Sequence, residues 1–197
     1  MKRPLLLFDV MGTLVTEPFL EAMPRFFQMS LEQLRAEVDP TAWIEFEKGR
    51  IDEQQFCDQF FRDGRSVDPQ KLRQCLHDAY DWLDGMQALM VELHGLGFQI
   101  HALSNYPIWF EIIEDKLKLS RYLDWTFVSC KTGFRKPDPE SYRVVERELQ
   151  IPMNECFFVD DRLGNVEAAR AVGMDSVLID DHHGVREELV RRSIIIA

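Results

Sequence analysis

The sequence predicts an α/β fold: a Rossmann-like, doubly wound parallel sheet carrying a small inserted helical unit. Two observations carry that expectation. Apolar runs such as Leu5-Leu6-Leu7-Phe8 and Cys156-Phe157-Phe158-Val159 are continuous rather than alternating, as in strands covered on both faces by helices. From residue 83 onward such runs alternate with helical segments, as βαβ units require, whereas residues 17–82 show helical periodicity and no strand pattern. The 197 residues suit one core with a modest insertion. The expected division is a core of residues 1–16 and 83–197 and an inserted helical domain of residues 17–82.

In chain order, the first strand is Leu5 to Phe8, ending in Asp9 and followed by Gly12-Thr13. Phe19 to Val38 reads as helix, with Pro24 near a turn start and Ser30-Leu31-Glu32-Gln33 at capping-box spacing. Trp43 to Glu47 continues helically to a C-cap at Gly49, Asp52 starts a helix over 53–62, and Pro69 to Tyr80 forms another. A helix from Gly85 to Leu96 leads to the strand Phe98–Leu103, which ends in Ser104-Asn105. Ile108–Leu117 is helical and Trp125–Ser129 a strand; Pro139–Leu149 is helical and Cys156–Val159 a strand ending in Asp160-Asp161. The helix Val166–Val172, the strand Ser176–Ile179 and the helix Gly184–Arg192 complete the pattern. Right-handed crossovers then fix most of the topology.

Composition excludes several functions. Hydrophobic residues at 46% supply enough apolar surface to exclude a disordered chain. Lys and Arg number 23 against 34 Asp and Glu, a net charge of −11 that repels nucleic-acid backbones and anionic lipid. The same field repels a phosphorylated substrate, so a phosphate site needs a local positive centre. No apolar run approaches the roughly 18 residues of a membrane helix. The opening MKRPLLLFDVMG carries Asp9 inside its apolar stretch and reads as a core strand of a cytoplasmic protein, not a leader. Cys57, Cys75, Cys130 and Cys156 lack metal-ligand spacing and are expected as free thiols, and His182-His183 as a solvated loop.

Ligands of open α/β sheets sit beyond the carboxyl ends of the strands. Those ends supply Asp9, Ser104-Asn105, Lys136 and Asp160-Asp161. A carboxylate directly after an apolar strand is costly unless a cation neutralises it. Two such strands point to a shared divalent ion with oxygen ligands, for which Mg2+ fits best. Lys136 and Ser104 can then hold a phosphate beside it.

Four motifs in order resemble the haloacid dehalogenase superfamily of hydrolases over nearly the whole chain: Phe8-Asp9-Val10-Met11-Gly12-Thr13-Leu14; Leu103-Ser104-Asn105; Gly133-Phe134-Arg135-Lys136-Pro137-Asp138-Pro139-Glu140; and Phe158-Val159-Asp160-Asp161-Arg162 with Asn165 to Arg170 and Gly173. The resemblance implies a phosphatase in which the helical insertion is a small cap and Asp9 forms an aspartyl-phosphate. It implies Mg2+ held by Asp9, the backbone carbonyl of Met11 and Asp160, supported by Asp161. Ser104 would donate to the transferring phosphoryl group, Lys136 would neutralise charge, and Thr13 and Asn105 would join them in binding substrate. The partner implied is a small phosphomonoester, with the protein a monomer or homodimer. One position departs from the pattern: the phosphatases carry a second Asp two residues after the nucleophile, and here Met11 stands there. Methionine moves no proton, a role worth about 10²–10⁴-fold. A metal-independent 2-haloacid dehalogenase, a phosphonate hydrolase using Lys48 or Lys71 of the cap, and a non-catalytic binding protein are the alternatives. More loosely, DVMGTLVTEPF with Trp43 to Gly49 resembles a plant and bacterial branch associated with flavin mononucleotide hydrolysis, so a flavin mononucleotide- or sugar-phosphate-like substrate is expected.

Other residues have plainer readings. Trp43, Phe46, Phe56, Phe60 and Phe61 lie at helical spacing and form cap core or a ring-stacking wall. Glu45, Arg50 and Arg65 read as helix-end charges, unless a cap arginine faces the site. Arg162 and Arg170 are expected to pair with carboxylates, and His101 to be a hydrogen-bonded core residue.

Overall fold

A computed structural model describes residues 3–179 and 184–196; His182-His183 lie outside them. In chain order the elements are β1 (Leu5–Phe8), α1 (Ala22–Phe27), α2 (Leu31–Glu37), α3 (Pro40–Glu47), α4 (Glu53–Asp58), α5 (Pro69–Ala79), α6 (Met86–Gly95), β2 (Ile100–Ser104), α7 (Phe110–Leu117), β3 (Asp124–Val128), α8 (Ser129–Thr132), α9 (Glu140–Leu149), β4 (Cys156–Asp160), α10 (Leu163–Ala171), β5 (Asp175–Leu178) and α11 (Val185–Arg191).

Among the described residues the strands form one five-stranded sheet in the order β3-β2-β1-β4-β5, every neighbouring pair parallel. The continuous apolar runs are explained by burial on both faces: Leu6, Phe8, Ile100 and Phe157 join one hydrophobic cluster, and Leu5, Leu7, Leu103 and Phe158 another. The chain builds outward from β1 in one direction through β2 and β3, then returns to its other side for β4 and β5. That reversal puts a switch point at the carboxyl end of β1, where such sheets bind ligands. Phe8 pairs with Val159 in register, so Asp9 and Asp160 leave adjacent strands at one height.

The helical segment between β1 and β2 departs from the expected pattern in detail. Phe19 to Val38 is two helices, because Gln28 adopts the left-handed region (φ 56°) and closes α1. The Ser30–Gln33 capping box starts α2 where the spacing placed it. The helix expected over 53–62 stops at Asp58, since Phe61 instead bridges to Val38 and Arg62 N–H donates to the Glu37 carbonyl. Ser129 opens α8 rather than ending β3. The two chain segments linking these helices to the sheet are tied together: Thr16 N–H donates to the Asp81 carbonyl at 2.9 Å and Leu83 N–H to the Leu14 carbonyl at 3.0 Å. Cys57, Cys75, Cys130 and Cys156 are unpaired. Among the described residues no helix is long and apolar enough to cross a membrane.

Candidate active site

At the switch point the residues expected from the strand ends converge. Lys136 is buried, and its Nζ lies 2.6 Å from Asp160 Oδ2 and 3.1 Å from Asp9 Oδ1. Burial disfavours the ammonium, but the Asp160 and Asp9 carboxylates outweigh it and hold the lysine pKa above its ordinary value. Burial pushes the Asp160 carboxyl up, Asp9 adds to that, and Lys136 opposes both. Asp161 is pushed up to about 6, first by burial and then by its two acidic neighbours. Ligand-capable oxygens of Asp9, Asp160 and Asp161 all lie within 4.8 Å of one another.

Three buried polar atoms here have no hydrogen-bond partner among the described residues: Thr13 Oγ1, Ser104 Oγ and Asp161 Oδ1. Such orphans are rare, and each is a group that an ion or a phosphoryl oxygen would satisfy. All three belong to residues expected in the site. The donor set is hard oxygen throughout, so the residues fit Mg2+. Gly12 makes the approach possible, with φ at +75° and an added Cβ falling 2.6 Å from Asp161 Oδ2.

A supporting layer holds these groups. Asn105 lines the cavity and its amide positions the lysine: Oδ1 accepts Lys136 N–H at 2.7 Å and Nδ2 donates to the Lys136 carbonyl at 2.8 Å. Asn165 Nδ2 donates to both Asp160 oxygens at 3.0 Å, and Arg162 N–H donates to Asp160 Oδ1 at 2.8 Å. Tyr142 in turn donates its hydroxyl to the Asn165 carbonyl at 2.8 Å. His101 is a core residue as expected, between Gln99 and Thr126 at 2.9 and 2.7 Å, and burial lowers its pKa.

Asp9 and Lys136 line a cavity of about 490 Å³ between the sheet end and the helical segment. Met11, Met23, Trp43, Phe56 and Phe60 give it apolar walls, and Glu17, Glu47, Arg35, Arg135 and Arg162 bring charge to its lining. The aromatic residues therefore serve as both core and wall: Phe56 stacks on Phe46 at 4.6 Å between centroids, while Trp43 borders open space. Glu47 fastens the helices to the sheet. Its Oε1 accepts from Trp43 Nε1 at 2.7 Å, its Oε2 from Arg135 at 2.8 Å, and its carbonyl from Ser129 Oγ at 2.5 Å. Arg50 and Arg65 pair elsewhere, with Glu45 and with Glu37 and Asp63. Against expectation, the Arg162 side chain makes no ion pair among the described residues and Arg170 donates to the Ser176 carbonyl. Lys48 and Lys71 do not line the cavity. Glu17 and Glu47 lie inside the stretches DVMGTLVTEPF and Trp43 to Gly49, yet sequence reasoning gave neither a role of its own.

A family model described as haloacid dehalogenase-like hydrolase matches residues 4–173. The chain is 48% identical to the chloroplastic flavin mononucleotide hydrolase 1 of Arabidopsis thaliana over 95% of this chain and 77% of that protein. It is 32% identical to a sesquiterpene phosphatase of Aspergillus oryzae, over 89% of each. Among solved structures, an Asp-to-Ala variant of a haloacid dehalogenase family enzyme from Bacteroides thetaiotaomicron, in complex with magnesium and inorganic phosphate, superposes with a TM-score of 0.73. That match is 19% identical and covers 90% of this chain and 94% of the other, a likeness of fold.

Proposed function

The chain belongs to the haloacid dehalogenase-like hydrolases, and from that premise we propose that it is a Mg2+-dependent phosphatase acting on a small phosphomonoester through an aspartyl-phosphate on Asp9. The observation that supports this most is the set of orphaned atoms, Thr13 Oγ1, Ser104 Oγ and Asp161 Oδ1, around the Asp9–Lys136–Asp160 group. Two hydroxyl donors and a buried ammonium suit a phosphoryl group; a lone carboxylate oxygen suits a cation.

In this reading Asp9 attacks phosphorus, while Lys136 neutralises charge on Asp9 and on the incoming phosphate. Thr13 and Ser104 hydroxyls donate to phosphoryl oxygens, and Asn105 orients Lys136 through its main chain. Asp9, the Met11 carbonyl and Asp160 would hold Mg2+, with Asp161 in support. The ion would supply the positive charge that lets an anionic nucleophile meet an anionic substrate. The role of the helices from residue 17 to 82 is that of a cap domain closing the cavity.

The name of the Arabidopsis relative and the Trp43–Phe56–Phe60 wall together favour a flavin mononucleotide-like substrate, its rings against the aromatics. The four free thiols suit a reducing compartment such as the cytoplasm. A monomer or homodimer completes the proposal. A Mg2+-supplemented screen of phosphoesters, with flavin mononucleotide, a sugar phosphate and a 2-haloacid included, tests it. Phosphate release that needs Mg2+ is the expected result; chloride release without metal, or no turnover on any phosphoester, overturns the reading.

A further inference from the structure

Met11 leaves the proposed chemistry without a residue to move a proton. We propose that Glu17 is that proton carrier, giving a proton to the leaving-group oxygen and then taking one from the attacking water. The proposal rests on the phosphatase reading above. Glu17 lines the same cavity as Asp9 and Met11, on the segment that follows the nucleophile; Met11 bridges to Val15, two residues before it. Its Oε1 accepts Phe19 N–H at 3.1 Å, which fixes the carboxyl, while Oε2 has no partner among the described residues. Glu47 has both oxygens engaged by Trp43 and Arg135, and Asp39 caps α3 through Thr41 N–H, so neither is as free to exchange a proton.

Asp9 after β1, Arg162 at the start of α10 and Tyr106 after β2 line the cavity with Glu17, and Asp161 after β4 lies near enough to act on its charge. Burial raises the Glu17 pKa above the usual carboxylate range; Asp9 and Asp161 add to this, and Phe19 N–H and Arg162 oppose it. The proton is therefore retained to higher pH than on an exposed glutamate.

The steps balance. As an Asp9 oxygen bonds to phosphorus, the bond from phosphorus to the ester oxygen breaks, and that oxygen takes its electron pair and the Glu17 proton to leave as an alcohol. Water oxygen then bonds to phosphorus, the pair of the phosphorus–Asp9 bond returns to the carboxylate, and Glu17 takes the water proton.

Glu17→Gln keeps the shape and the acceptor for Phe19 N–H but carries no exchangeable acid. With Mg2+, its turnover of flavin mononucleotide, an alkyl phosphate, should fall by about 10²-fold or more. Nitrophenyl phosphate needs no proton to leave, so the variant should release a burst of about one nitrophenolate per chain and then stall before water attack. Adding Met11→Asp to Glu17→Gln should restore part of the loss. Unchanged rates, or equal losses on both substrates with no burst, overturn the proposal while leaving the phosphatase reading intact. A wild-type chain without Mg2+-dependent turnover overturns both. If Glu17→Gln melts too early to assay, Glu17→Ala with added formate asks the same question: restored turnover supports the carrier and no effect overturns it.

Discussion

Asp161 shows how one carboxyl can mark a site suited to a cation. Its pKa is pushed up to about 6 by burial and by Asp9 and Asp160, against 3.8 for an ordinary Asp. Folding thus favours its protonated form. The stability this group contributes is full below about pH 4 and is lost as pH rises through about 6. In chelated protein, Asp161→Asn should therefore raise the melting temperature at pH 7 and leave it nearly unchanged at pH 4; thermal scans at both values check it. With Mg2+ present the gain at pH 7 should vanish, because the cation stabilises the charged form. At this scale the sequence was informative where position alone dictates environment. Asp9 and Asp160 follow directly on apolar strands, so their convergence was legible. That Asn105 also clamps the Lys136 main chain was not legible, because an amide after a strand looks the same whether it faces a cavity or main chain. Glu17 was missed because its place in the cavity depends on how the helices fold back over the sheet.

Among the elements, the central strands were legible and the helices inserted between β1 and β2 only partly so. β1, β2 and β4 are short, mostly apolar runs buried throughout, a pattern typical of the centre of a parallel sheet, while the edge strands β3 and β5 begin at the exposed Asp124 and Asp175. The helices between β1 and β2 are short, six to eleven residues, too short to be stable alone, and tertiary packing decides where they end. Gln28 and the Val38–Phe61 bridge mark two such ends. The junction of helices and sheet is tightest at Gly49, where φ is +67° and an added Cβ would fall 2.6 Å from the Cys130 carbonyl oxygen. Gly64 has a similar φ of +78° with open space around it. Gly64→Ala should cost about 1–2 kcal/mol from backbone strain alone. Gly49→Ala should cost visibly more in urea unfolding and should also raise KM, since α3 carries Trp43 and Glu47. Equal costs at the two glycines would show that the contact with Cys130 does not hold the helices in place.

At the scale of the whole molecule, a chain of net charge −11 gathers Asp9, Asp160 and Asp161 at one sheet end with Lys136 as their buried cation. A ligand that binds only the folded state stabilises it by mass action. Millimolar Mg2+ should raise the melting temperature, and the rise should shrink in Asp160→Ala; an unchanged wild-type melting temperature would show that the acids do not form a metal site. Beyond metal binding, the proposed chemistry requires Asp9 to carry the phosphoryl group between substrate and water. The direct measurement is Mg2+-dependent hydrolysis of flavin mononucleotide by wild-type protein and by Asp9→Asn, each quenched in acid for mass analysis of the peptide holding residue 9. Turnover and a phosphorylated peptide are expected in wild type, with neither above background in Asp9→Asn; turnover that survives the substitution would rule out Asp9 as the phosphoryl carrier.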